Sequence, residues 1–463
     1  MAQENFEWIR IDKDFEWMAT IKFVQPHYMW VSQLQQDTDV VAQVEAMQYL
    51  AGQKPFPIIS TIAVRTLMDQ RYFWGIRVMA TDVLANCAND DPSLNWIGLH
   101  HLTKAFKELY CEPDSDVPKE NDFSDTVSYY IQCAIPKALA KLRLQNGKAP
   151  DRVKEFFIDK LASNENGNNE FSDCHYVAML MECLAQCLAA GAGAQSSTMH
   201  MAFDFEDEEM ENDDDNDIYE KELQKRGMDE ITRTAEMDTW TPSYRNQLTV
   251  TYLECQKIFM QAKLIEREPL KFVLYTREDN SDEVRIKAFA CLIQLRMFLE
   301  PGVLRRLFYV FANESSPYVR DEIWQLIWQG LGQVAIGMLK EDKQATQPHM
   351  DGLIIEGGGE TAESRAKDIA RTTTIEGALA ALKIDLKDNE RVVQGLERGL
   401  RSQELGLQEF ADVITVCSLL FEPVNGLMFK IQYPKDLWKV EHLGNVSSLG
   451  SLVLSAVTNM NLG

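Results

Sequence analysis

The feature that most constrains the fold is a short motif that recurs at the start of predicted helices. An apolar or aromatic residue is followed by arginine and, one helical turn later, by another apolar residue, at Arg77, Arg245, Arg285 and Arg320. The last three arginines are separated by 40 and 35 positions, close to the period of about 40 to 47 residues of HEAT and armadillo repeats. Such a repeat is a pair of helices that buries its inner face only against neighbouring pairs. The spacing therefore predicts an all-α chain, a HEAT/ARM-type α-solenoid of stacked helical hairpins in which these arginines define the repeat.

Two stretches interrupt the helical periodicity that begins at Asp37. The window 204–217 (DFEDEEMENDDDND) contains ten acidic residues and neither lysine nor arginine, so it has too little apolar area to offset the entropy of ordering. Residues 341–373 include three consecutive glycines and predict a long loop or linker. We therefore expect a HEAT-repeat solenoid over 31–340 with a disordered acidic insertion at 204–217, terminal helical repeats over 374–423, and a C-terminal extension over 424–463.

Residues 6–26 have a different pattern. Ile9 and Ile11 alternate around Arg10, a turn-like segment follows, and a β-branched and aromatic run leads to Pro26. This pattern favours a β-hairpin. Because a lone hairpin is only marginally stable in water, we expect its partner strands to lie in a part of the protein outside this chain.

Charge bears on which partners the chain can bind. The formal net charge of -25 argues against nucleic-acid binding by the whole surface, because phosphates are repelled by like charge. One region between residues 137 and 160 is locally basic, and its candidate DNA-phosphate contacts are Lys137, Lys141, Arg143, Lys148, Arg152 and Lys154. The alternative is that these side chains form an ordinary solvated helix face.

Sequence motifs of catalysis are missing from the chain. It contains no H-E-x-x-H, no phosphate-binding glycine loop and no G-x-S-x-G element,. Cys174, His175, Cys183 and Cys187 match no standard zinc module, and cysteines on an apolar helix face are typical of a protein core. No stretch approaches the roughly 20 apolar residues of a membrane span. We therefore expect no enzyme activity, no cofactor or metal site, no membrane association and no small-molecule substrate.

A series of segments resembles one known family. Residues 8–50, 71–89, 171–185, 241–259, 282–292 and 316–327 are similar, in order, to the helical region of TBP-associated factor 2, subunit 2 of the general transcription factor TFIID. The segment 430–444 resembles fungal members of that family. The resemblance implies that residues 1–30 are the end of an aminopeptidase-like β-sandwich domain, which explains the short N-terminal β segment that we expect.

The resemblance also implies a function. It implies a nuclear, non-catalytic scaffold that mediates TFIID assembly and contributes to core-promoter (initiator) recognition in transcription by RNA polymerase II. TFIID subunits 8 and 1 are the implied protein partners, and core-promoter DNA is a further one. Residues 14–17 (DFEW) stand where working aminopeptidases of the related family have a Gly-Tyr-Tyr-Arg-like stretch, which favours a scaffold. The alternatives are the helical C-terminal domain of an active zinc aminopeptidase and an importin-like transport solenoid.

Overall fold

The computed structural model describes residues 7–21, 23–89, 94–191, 211–339, 370–421, 438–441 and 453–456, with only the backbone described at 211–217 and in the last two segments. The chain divides into two compact units, Met1–Glu268 and Pro269–Gly463. Most of the described residues are helical, which confirms the predicted all-α class. None of the helices in these segments has the length and hydrophobicity needed to cross a membrane.

The first unit is built from successive helical hairpins. Its helices are α1 (His27–Gln36), α2 (Val40–Ala51), α3 (Pro57–Met68), α4 (Trp74–Asn86), α5 (Ile97–Tyr110), α6 (Thr126–Leu139), α7 (Asp151–Ala162), α8 (Cys174–Ala189), α9 (Glu211–Trp240) and α10 (Gln247–Gln261). Odd-numbered helices pair with the even-numbered helices that follow them, and α2, α4, α6, α8 and α10 pack on one another in that order. Each hairpin thus buries its inner face against the next one.

The second unit is also built largely from packed helices. Its elements are α11 (Leu270–Tyr275), α12 (Asp282–Gln294), α13 (Pro301–Asn313), α14 (Pro317–Ile336), α15 (Ile375–Leu386), α16 (Glu390–Arg401), α17 (Leu407–Leu420), β1 (Trp438–Glu441) and β2 (Val453–Ala456). Helix α12 packs on α14, and α13 packs on α16. The two strands pair antiparallel, with Trp438 opposite Ala456.

The sequence pattern explains where these helices begin and what they bury. Pro57, Pro301 and Pro317 each occupy the first position of a helix, where the missing N–H has no helical partner to lose. The stripe predicted from the 3.6-residue period, from Ile59 to Leu67, is buried in the core of the first unit. Apolar periodicity therefore locates the helices correctly.

The predicted N-terminal β-hairpin is not formed, because residues 7–21 and 23–26 contain no strand. Asp12 and Phe15 have positive φ angles, and the Asp12 carboxylate accepts hydrogen bonds from the backbone N–H groups of Glu16 and Trp17. These turns use the groups that a strand would pair. The segment is instead held by Arg10, whose guanidinium lies 2.7 Å from the Asp39 carboxylate. Helix α1 already starts at His27, inside the segment 1–30 that we expected to complete the sandwich domain.

Other predicted segments differ from the structure or lie outside it. Residues 211–217 of the acidic window form the first turns of α9, whereas we expected disorder, and residues 204–210 lie outside the described residues. Most of the predicted linker 341–373 also lies outside them, although residues 370–373 are helical. Of the C-terminal extension 424–463, only β1 and β2 are described.

Candidate interaction surfaces

The most prominent surface feature of the first unit is a continuous row of aromatic rings, here called the aromatic ridge. The neighbouring ring centroids are 5.3, 5.1, 6.5, 5.4 and 6.2 Å apart along Phe73, Trp74, Tyr130, Tyr129, Phe123 and Phe171. These residues belong to the starts of α4, α6 and α8 or to the segments just before them. Since those helices pack in series, their N-terminal ends bring the rings together along one edge of the stack.

Much of the ridge faces solvent. The side chains of Phe73, Trp74, Tyr130 and Phe171 are 46%, 37%, 53% and 60% exposed, whereas Tyr129 is half-buried and burial raises its pKa well above the ordinary value. The rim is polar, with the Asp122 carboxylate bound to Ser124. An exposed apolar patch with a polar rim is typical of protein–protein contact surfaces, and aromatic side chains supply much of the binding energy at such surfaces.

The predicted basic region is only partly available to a ligand. The Lys148 ammonium lies 2.6 Å from the Glu220 carboxylate of α9. Lys154 is 1% exposed and lies 3.4 Å from the other Glu220 oxygen and 3.0 Å from Asp151. These lysines therefore attach α9 to α7 and its preceding turn. Lys154 is buried, so the predicted contact of Lys154 with DNA phosphates is wrong. The contact predicted for Lys148 stays a prediction.

The other predicted basic residues are on the surface. Lys137, Lys141, Arg143 and Arg152 are exposed. Lys141 pairs with Asp82 at 2.6 Å, and Arg143 donates to the carbonyl oxygens of Ala140 and Leu142 while its charge stays accessible. Lys137 lies in the last turn of α6 and Arg152 lies in the first turn of α7. The sequence-predicted patch is thus reduced to its exposed members.

Three of the four motif arginines occupy the same place in the fold. Arg77, Arg285 and Arg320 are each the fourth residue of their helix and are buried to 6% exposure or less. Arg77 donates to the carbonyl of Leu67 at the end of the preceding helix. Arg320 does the same to the carbonyl of Glu314 and also lies 2.8 Å from the Glu409 carboxylate. Arg77 and Arg320 thus join their helices to the ends of the preceding ones, whereas Arg285 pairs with Asp282 of its own helix and with Glu314.

Glu314 links two of these motif arginines. Its carboxylate pairs with Arg285, while its carbonyl accepts from Arg320. Partial burial raises the pKa of Glu314, but the hydrogen bond and charge of Arg285 outweigh that effect, so its pKa lies below the ordinary value. The motif thus places Arg77 and Arg320 where they stabilise the turns between consecutive helices.

Arg245 does not follow this pattern, although the motif predicted that it would. Its φ angle is 53°, it lies in the 3₁₀ turn Tyr244–Asn246 before α10, and its guanidinium lies over the Tyr244 ring. The helix begins two residues later, at Gln247. Arg245 is exposed and therefore cannot play the buried role of the other three.

The cysteines behave as core residues. Cys183 and Cys187 are buried in α8, and burial raises the pKa of each thiol to about 12, which keeps them protonated and unreactive. Within the described segments, no group of His, Cys, Asp and Glu side chains is arranged to hold a metal ion. Cys174 and His175 start the same helix.

Comparison with known proteins identifies the family. The model of a family described as TAF2-like, TPR repeats, matches residues 27–341. The chain belongs to this TAF2-like family. Its repeats are described as TPR repeats, where we expected HEAT-type repeats; the spacing of 35 residues between Arg285 and Arg320 is in fact close to the TPR period of about 34 residues.

Individual relatives agree with the family. TFIID subunit 2 of Schizosaccharomyces pombe is 33% identical over 96% of the chain. The Saccharomyces cerevisiae protein of the same name is 27% identical over 90% of the chain, and the Danio rerio protein is 31% identical over 70%. The longer coverage by the two yeast proteins agrees with the resemblance of the C-terminal segment to fungal members. None of these names refers to an aminopeptidase.

The TAF2-like chain covers only part of these relatives. It spans 36% of the fission yeast protein and 28% of the budding yeast protein.

The aromatic ridge was not predicted from the sequence, because its rings are distributed over about a hundred positions and no local period connects them. The signal that was available is the occurrence of adjacent aromatic pairs, Phe73-Trp74 and Tyr129-Tyr130, at the starts of α4 and α6.

Proposed function

We propose that this TAF2-like chain is the helical-repeat scaffold of TFIID subunit 2, acting in the nucleus without catalysis to hold other TFIID subunits, with subunits 8 and 1 as its partners. Family membership supports the assignment to TFIID. The aromatic ridge is the observation that carries the scaffold role, because it offers a contiguous exposed surface of the composition that protein partners bind.

The ridge predicts a specific binding defect. A triple variant with Trp74→Ala, Tyr130→Ala and Phe171→Ala removes exposed rings and leaves the buried core unchanged. We expect it to bind recombinant TFIID subunit 8 or subunit 1 at least about tenfold more weakly, since aromatic side chains at an interface each contribute on the order of 2 kcal/mol. Titration of each labelled subunit with the purified chain measures the dissociation constant.

A matched control separates the ridge from general surface hydrophobicity. Trp240 and Tyr244 are 87% and 66% exposed and lie off the ridge, so a double variant with Trp240→Ala and Tyr244→Ala should bind both subunits normally. Equal loss by the two variants, or unchanged binding by the ridge variant, would contradict the ridge as the docking surface. Failure of the unaltered chain to bind either subunit would contradict the scaffold role itself.

We further propose that the exposed basic residues contribute to core-promoter contact. Lys137, Arg143 and Arg152 keep accessible charges, unlike Lys154. A charge-reversal variant, with each of these three changed to Glu and here called the patch variant, should bind duplex initiator DNA more weakly. The slope of log affinity against log salt should fall by about 0.9 for each phosphate interaction that the substitutions remove. Anisotropy titrations over a salt series measure the slope, and an unchanged slope would contradict a role for these residues in DNA binding.

A further inference from the structure

The second unit contains a groove lined by arginines between α13 and α16. The two helices run side by side in the same direction: Arg305 near the start of α13 and Arg391 near the start of α16 line one cavity, and the Ser402 hydroxyl donates to the Ala312 carbonyl at their other ends. Gly395 allows the close approach, because a Cβ there would lie 2.4 Å from Cδ2 of Phe308. The groove is therefore formed by two closely packed helices.

The groove contains two neighbouring cavities of about 240 and 580 Å³, and Gln394 and Arg398 line both. Helix α13 has 13 residues, so the groove is about 20 Å long. An extended peptide rises about 3.3 Å per residue. The groove thus has the length of about six residues of extended chain.

Its positive charge is not neutralised within the part of the chain that the structure describes. Arg305, Arg391 and Arg398 are exposed, and no carboxylate of the described residues lies within 4.0 Å of their guanidinium groups. The nearby Glu397 carboxylate pairs with Arg401 instead. These three arginines are therefore available to anions, in a protein whose formal net charge is -25.

An aromatic ring is placed among these cations. The guanidinium carbons of Arg306 and Arg398 lie 5.5 and 5.8 Å from the centroid of Tyr309, and the Tyr309 side chain is 41% exposed. Arg306 also donates to the Thr276 carbonyl at 3.1 Å. Stacking on Tyr309 restricts the Arg398 side chain. Arg398 therefore loses less conformational entropy when it binds an anion.

We propose that this groove binds an acidic peptide segment of a partner protein, with carboxylates of the peptide pairing with Arg305, Arg391 and Arg398. The planar guanidinium group matches a carboxylate in a two-hydrogen-bond geometry. Arginine clusters are a recurrent means of recognising acidic motifs. Charge complementarity also favours this face, because its arginines are positive in a chain whose formal net charge is -25.

The shape of the groove favours a peptide over duplex DNA. Cavities of a few hundred Å³ admit individual side chains, whereas a duplex presents its phosphates on a convex backbone. Glu397 and Glu404 line the larger cavity and would face the evenly spaced phosphates of a duplex. A peptide can place an uncharged residue opposite these carboxylates, so the mixed lining is compatible with a peptide.

The test is fluorescence anisotropy of the full chain with a fluorescein-labelled peptide of alternating Glu and Asp residues. The groove variant, with Arg305→Glu, Arg391→Glu and Arg398→Glu, alters only exposed side chains, and circular dichroism checks that it is folded. We expect its affinity for the peptide to fall at least about tenfold, since repulsion replaces charge-assisted pairs. Replacing the same residues with lysine should cause a smaller loss, because the charge remains and the planar geometry does not.

The patch variant, which changes the net charge by the same amount at Lys137, Arg143 and Arg152, is the matched control and should bind the peptide normally. Equal loss by both variants would show an effect of net charge and overturn the proposal. The proposal would also fail if the unaltered chain did not bind the peptide, or if the groove variant lost duplex DNA binding and retained the peptide. Because the assay contains no other TFIID subunit, its result is independent of the proposed binding of subunits 8 and 1.

Discussion

The Glu220→Ala variant is expected to lose about 3 kcal/mol of unfolding free energy, because removing one partner of a buried ion pair leaves the other charge uncompensated. Glu220 holds both Lys148 and Lys154, and the Lys154 side chain is 1% exposed. Asp151 remains within 3.0 Å of Lys154, which keeps the expected loss at the lower end of the range for such pairs. Hydrogen exchange of α7 and α9, together with the midpoint of urea unfolding, measures the effect.

Two further variants make this prediction specific. In the double variant Glu220→Ala with Lys154→Met, the buried charge is absent, so most of the lost stability should return. Glu397→Ala removes the partner of Arg401 in a pair whose side chains are about half exposed, and such a surface pair contributes less than about 1 kcal/mol. Comparable losses for Glu220→Ala and Glu397→Ala would contradict the idea that burial of Lys154 makes Glu220 important.

The contribution of this ion pair to the unfolding free energy depends on pH, and the pKa of Glu220 gives the direction of that dependence. Partial burial raises the pKa of Glu220, but the hydrogen bond from Lys148 and the charge of Lys154 outweigh this, so its pKa is lowered from 4.5. A lowered pKa contributes stability in full above the unfolded value, and this stability is lost as the pH falls through the folded value. The difference between the unaltered chain and Glu220→Ala should therefore be largest at neutral pH and should narrow below about pH 4.5.

Much of the fold could be predicted because helical periodicity is local. The motif at Arg77, Arg285 and Arg320 also carried positional information, since each arginine is the fourth residue of a helix. Arg245 fits the same sequence motif but has a positive φ angle, and so short a pattern does not specify that conformation. The N-terminal alternation was misleading for a related reason, because the Asp12 carboxylate competes for the backbone groups that a strand would use.

The candidate surfaces were harder to predict because each depends on contacts between distant segments. Lys148 and Lys154 look like free cations in sequence, whereas their partner Glu220 lies 72 and 66 positions away. The groove joins residues of α13 to residues of α16, which lie far apart in the sequence. Local charge counting can find a basic segment, but it cannot tell which charges the fold has already paired.

The Gly98→Ala variant is expected to lose about 3 kcal/mol of unfolding free energy from overpacking against backbone atoms. A Cβ on Gly98 would lie 2.1 Å from the Leu84 carbonyl oxygen and 2.7 Å from the Ala88 nitrogen. The Gly98 N–H also donates to the Cys87 carbonyl at 3.3 Å, so α5 starts directly on the last turn of α4. Backbone atoms of a helix end cannot move aside as a flexible side chain can, and the hairpins must therefore separate to accept the methyl group.

The same substitution at Gly332 provides the control, because it adds the same methyl group where space is open. Gly332 is inside α14, and a Cβ there would meet nothing within 4 Å, so Gly332→Ala should gain up to about 1 kcal/mol from higher helix propensity. Urea unfolding of the two variants should thus give shifts of opposite sign. Shifts of the same sign would mean that the close approach of Gly98 to α4 does not set the spacing of these hairpins.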